Sequence, residues 1–194
     1  MVPDGDVIRT ERLDLVLLPG AAMNALIAGQ HGRVEAMLGF AVAASFPEEG
    51  DLEMLRFRRD QLTATPSWAP WLVRGIVRRE DRTMVGLATF HGPPGINDLR
   101  APGAAEVGYT VNKPFRNRGY ATESATAMLR WAKQAHGISH FVSGIAPDNL
   151  ASLRVIHKLG FKPTGLVDDG ELIFDLHATR RWPGDSQAAA KSGN

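Results

Sequence analysis

Arg116-Asn117-Arg118-Gly119-Tyr120-Ala121 joins two differently patterned runs. Before it, Ala105 to Val111 alternates like a strand. After it, Gly119 to His136 repeats apolar residues at helical spacing (Ala121, Ala125, Met128, Ala132, Ala135). The hexapeptide therefore opens a helix. There, backbone N–H groups have no acceptor four residues back, and the helix dipole is positive. Two arginines at that place make an anion site of the kind that takes phosphate, and the small residues at 119 and 121 let backbone approach the ligand. The plainer reading is a helix start carrying surface arginines. No Gly-Lys-Ser/Thr follows, so the stretch is not a P-loop. A single glycine also excludes a dinucleotide fingerprint.

Outward from this junction, the same rules predict the remaining elements. Strands are expected at 12–18, 71–78, 83–91, 105–111, 139–145, 161–167 and 171–177. The loops at 79–82 and 168–170 close hairpins. Helices are expected at 21–29, 32–39, 47–65, 119–136 and 149–159, the third opened by Pro47 and the acidic residues 48, 49 and 51. Asp148 or Asn149 caps the last helix and Gly160 ends it. Such an order predicts an α/β (α+β) fold with a mixed sheet. Residues 1–8 are expected to be a flexible leader, 9–183 a single domain, and 184–194 a disordered tail.

Lys plus Arg, 22, nearly balance Asp plus Glu, 21, so charge makes no case for nucleic acid or an anionic membrane. The absence of cysteine excludes disulfides and thiolate chemistry. No His, Asp and Glu residues stand at metal-ligand spacing, and no metal is expected. The acidic start at 1–6 lacks the apolar run of a signal peptide, none is expected there, and a soluble, cytoplasmic protein is expected. His91 and His140 lie at strand ends and read as structural histidines that could also reach a cleft. Phe40, Phe46, Trp68 and Trp71 read as core aromatics, with an apolar pocket as the alternative.

A second motif, Asn149-Leu150-Ala151-Ser152, follows a strand, and its helix ends at Gly160-Phe161. Upstream stand Thr10-Glu11-Arg12-Leu13 and Glu106-Val107-Gly108-Tyr109, and the hexapeptide continues as Arg118 to Glu123. In this order and spacing the four motifs resemble the GNAT acetyltransferase superfamily, most closely its RimJ/RimL-like branch, from about Thr10 to Trp182.

The resemblance implies a mostly antiparallel seven-stranded sheet flanked by four to five helices. It implies acetyl-CoA as co-substrate and an amine as acceptor, a protein N-terminal amine or a small molecule. It also allows a homodimer. The pyrophosphate would lie on Arg116, Asn117, Arg118, Gly119, Tyr120, Ala121 and Thr122. The pantetheine arm would run along Tyr109, Thr110 and Val111, with the Val111 N–H aimed at the thioester oxygen. Asn149 would hold the pantetheine amide and Ser152 would lie near the thiol. Glu106 would be the base acting through water, or else a structural carboxylate. Many relatives place a tyrosine acid where this chain has Ile156, and the neighbouring His157 is expected to be exposed. Two other readings remain open: a non-catalytic acyl-CoA binding module, or a transferase for a larger acyl-CoA decided around Ser143 and Ser152.

Overall fold

A computed structural model of the protein describes residues 6–178. The chain runs β1 (Val7–Arg9), β2 (Leu13–Leu17), α1 (Gly20–Ile27), α2 (His31–Leu38), β3 (Ala41–Val42), α3 (Glu49–Ala64), β4 (Arg74–Arg78), β5 (Thr83–Phe90) and β6 (Ala105–Val111). It continues as α4 (Tyr120–His136), β7 (His140–Ile145), α5 (Leu150–Leu159), β8 (Lys162–Asp168) and β9 (Glu171–His177). Among the described residues the mixed, mostly antiparallel α/β character is as expected, with five α-helices and nine strands rather than seven. The two additional strands are β1 and β3. Val7 and Ile8, expected in a leader, instead pair with Val16 and Leu15, because β-forming side chains there meet an apolar partner strand. β3 has only two residues, too few to show a period. Pro47 lies ahead of α3, whose N-cap is Glu48. The expected tail at 184–194, and residues 1–5 of the leader, lie outside the described residues.

The described residues form two compact units, 6–90 with Tyr109–Ser124, and His91–Gly108 with 125–178. In the first, antiparallel pairing runs β1–β2–β4–β5, and β3 lies parallel to β5. Its core joins Val16, Met23, Leu26, Val34, Leu55, Val77 and Leu87. Phe40 and Phe46 are buried in it and Trp68 packs against it, while Trp71 meets the edge of Phe90 at 5.5 Å. The core reading of these aromatics holds. Beside β5 the C-terminal half of β6 comes very close: a Cβ on Gly86 would strike the Thr110 carbonyl oxygen and lie 3.0 Å from the Val111 Cα.

In the second unit β7–β9–β8 pair antiparallel. The start of β6 runs parallel to β7, with Ala105 opposite Phe141 and Glu106 opposite Val142. The Ser143 hydroxyl donates to the Val107 carbonyl at 3.2 Å. Asp169 and Gly170, both at positive φ, turn β8 into β9. Among the described residues, no helix is long and apolar enough to cross a membrane.

Candidate active site

In the first unit, β6 ends in a 3-10 turn at Lys113–Phe115 and an exposed run from Arg116 to Gly119, after which α4 begins at Tyr120. Asn117 and Gly119 both take positive φ, 61° and 81°. The chain can therefore reverse within a few residues and enter the helix. The Glu123 N–H donates to the Gly119 carbonyl, the start of the i to i−4 ladder. The N–H groups of the first turn precede that ladder, as an anion site requires.

The two arginines are not equivalent. Arg116 Nε donates to the Val111 carbonyl at 2.7 Å, and its Nη2 lies 3.5 Å from the Glu48 carboxylate. It thus ties the end of β6 to the loop. Arg118 lies over the Phe115 ring at 5.6 Å, with Nη2 3.3 Å from the Pro114 carbonyl, and its side chain is exposed.

Glu123, in the first turn of α4, has a specific partner: Arg12 Nε and the Arg12 backbone N–H donate to it at 2.7 and 3.0 Å, and the Thr10 hydroxyl donates at 2.6 Å. Arg12 also donates to the Arg118 carbonyl at 2.9 Å and lies over the Tyr120 ring. The Thr10-Glu11-Arg12-Leu13 motif is therefore a clamp on the loop from Arg116 to Gly119. That role had no signal in the sequence, because its two halves are 111 residues apart.

In the second unit Glu106 is fully buried on β6. Its Oε2 accepts the Asp98 N–H at 2.6 Å and its Oε1 accepts the Gly144 N–H at 3.2 Å. His91 Nδ1 is 3.4 Å from Oε2. Burial pushes the Glu106 carboxyl up, but His91 and the Asp98 N–H more than offset this and hold it below the usual value. Asp98 shifts the other way. Burial, then the charge and hydrogen bond of Glu106, push it up to about 6. Burial also raises Glu171. The three carboxylates converge on Gly144: a Cβ there would lie 2.5 Å from Glu171 Oε2, 3.3 Å from Asp98 Oδ2 and 3.6 Å from Glu106 Oε1. Asp98 and Glu171 were missed by sequence reading, since they sit in an irregular loop and at a hairpin. The loop itself is held by Asn97, whose side chain bonds Ala101 and Ala104.

Asn149 caps α5, its Oδ1 accepting the Ser152 N–H at 3.1 Å, so its side-chain oxygen is committed. Ile156 is fully buried and offers no proton, while His157 is exposed. Folding also assembles two groups of potential metal ligands that linear spacing does not show, His91 with Asp98 and Glu106, and His140 with Asp175 and His177.

A family model described as an acetyltransferase (GNAT) domain matches residues 27–162. The uncharacterized N-acetyltransferase YjdG of Bacillus subtilis (strain 168) is 27% identical over 157 residues, 79% of this chain and 85% of that protein. An acetyltransferase from Agrobacterium tumefaciens str. C58 shares the fold with a TM-score of 0.61 at 22% identity, over 91% of this chain and 95% of that one. RimL, a ribosomal L7/L12 alpha-N-protein acetyltransferase solved with coenzyme A, has a TM-score of 0.58 at 18% identity, over 89% of this chain and 99% of that one. With the family model matched over more than half of its length, this chain belongs to the GNAT acetyltransferase family.

Proposed function

We propose that residues 9–183 form one acetyltransferase domain that moves an acetyl group from acetyl-CoA to a primary amine by direct attack in a ternary complex. Arg118 and the amides opening α4 bind the pyrophosphate, with Arg116 and Asn117 shaping the loop. Backbone at Tyr109, Thr110 and Val111 takes the pantetheine, and the Val111 N–H meets the thioester oxygen. Asn149 and Ser152 lie toward the pantetheine amide and the thiol. Support comes from family membership and from RimL, which was solved with coenzyme A. A cytoplasmic location fits that donor.

The observation that carries the catalytic reading is the buried Glu106 carboxylate beside Asp98, a carboxyl raised to about 6. An ammonium acceptor must lose a proton before its nitrogen can attack. A group titrating near the working pH is best matched to take it. Glu106, pinned by two backbone N–H groups, supplies the fixed negative charge, and Asp98 holds the mobile proton, reached through water. The neutral nitrogen then bonds to the thioester carbon, the carbon–sulfur bond breaks, and the nitrogen gives up its second proton to water. With Ile156 in place of the usual tyrosine, the leaving thiolate collects its proton from solvent.

The acceptor is a protein N-terminus, as RimL's description suggests, or a small amine. A second reading, an acyl-CoA binding module without turnover, is favoured only by Ile156. Thiol release from acetyl-, propionyl- and succinyl-CoA, each with a panel of amines and short peptides, separates these readings. Amine-dependent release that is fastest with acetyl-CoA supports the proposal. Binding without release supports the module, and faster release from a longer acyl group contradicts the acetyl assignment.

A further inference from the structure

β7 and β9 place His140 directly opposite His177, and Asp175 stands two residues before His177 on the same face of β9. His140 Nε2 and His177 Nε2 each lie 3.4 Å from the same oxygen, Asp175 Oδ2. That spacing is long for a hydrogen bond between imidazole and carboxylate, which closes to about 2.7–2.9 Å when charged. It is instead close to the edge of a tetrahedron around zinc, roughly 3.3–3.4 Å for bonds of 2.0–2.1 Å to nitrogen and oxygen. His140 Nε2 is also buried without a hydrogen-bond partner, as a nitrogen lone pair reserved for a metal would be.

We propose that His140, Asp175 and His177 form a binding site for a divalent transition metal, zinc in the first instance. Two imidazoles and one carboxylate are a borderline donor set that suits zinc over calcium or magnesium. Asp175 holds the shared vertex, and His140 fixes the site to the start of β7. The two rings are stacked, 4.1 Å apart and 17° from parallel, so their lone pairs do not yet converge. His177, whose side chain is 67% exposed, turns about its side-chain torsions to complete the site. Three protein ligands leave the fourth position to water, and the ion bridges the first residues of β7 to the last of β9. The other cluster, at His91, is a poorer host, because both Glu106 oxygens already accept backbone N–H groups.

The test uses the full-length chain, stripped with a chelator and exchanged into chelator-free buffer. It is titrated with zinc chloride by calorimetry and with cobalt chloride by visible absorption. The expected result is one ion per chain at micromolar or tighter affinity, with the intense d–d bands of four-coordinate cobalt. His177→Gln and Asp175→Asn should each weaken binding by about tenfold or more. His91→Ala should leave it unchanged. His177 is exposed, so its variant folds whatever the outcome at Asp175, and circular dichroism checks this. Absence of saturable binding overturns the proposal, as does unchanged affinity in the His177 and Asp175 variants or a loss that follows His91→Ala.

Discussion

Asp98 and Glu106 carry opposite shifts because burial and then the Glu106 charge raise Asp98, whereas His91 and the Asp98 N–H outweigh burial at Glu106. Below about 6 Asp98 is protonated and cannot accept a proton, so the acetyl-transfer rate should rise with pH through that value. Asp98→Asn should remove this limb, and a limb left in place would assign it to another group. Glu106→Gln should remove the fixed charge that keeps Asp98 basic and lower the maximal rate, by less than the about 10² to 10⁴ expected from losing the base itself, with acetyl-CoA affinity nearly unchanged. The loss should shrink at high pH, where the amine is already neutral. A raised Michaelis constant for the amine at normal maximal rate would mean that Glu106 only positions a cation. Arg118→Ala should weaken coenzyme A binding by roughly 1.5–3 kcal/mol, the worth of a hydrogen bond to a charged group. Donors lacking the phosphates should be far less affected, and equal losses would exclude a phosphate contact. At this scale the sequence singles out the arginines and Glu106 because each sits in a patterned motif. Asp98 and Glu171 were not, because the fold brings them in from segments without periodicity.

Elements were legible where they were long. The strand at Ala105–Val111 matches its expectation, and α3, α4 and α5 differ at their N-termini by one or two residues, at the caps. β1 and β3 escaped notice since two or three residues cannot show alternation. What no pattern reveals is the need for close approach. Gly86 looks like an ordinary strand residue, yet the backbone at Thr110 and Val111 fills the space of its side chain. Gly86→Ala should therefore force β5 from β6 and destabilise the fold by about 1–3 kcal/mol, measured by urea unfolding. It should also weaken acetyl-CoA binding, since the displaced segment is the one assigned to pantetheine. Wild-type stability would mean that the strand shifts freely.

For the molecule as a whole, family membership was readable from four motifs in order, each weak alone. Their joint function in the fold was less so. The clamp of Arg12 on Glu123, and the triad of His140, Asp175 and His177, join residues whose sequence separation hides them. The central claim is that acetyl-CoA and an amine react while both are bound, with no acetyl-enzyme between. The direct measurement is the initial rate of thiol release with both substrates varied, alongside mass spectrometry of the amine. The account predicts intersecting double-reciprocal lines and one acetylated amine per thiol. Parallel lines with an acetylated protein, or no amine-dependent release from a protein that binds acetyl-CoA, would contradict it.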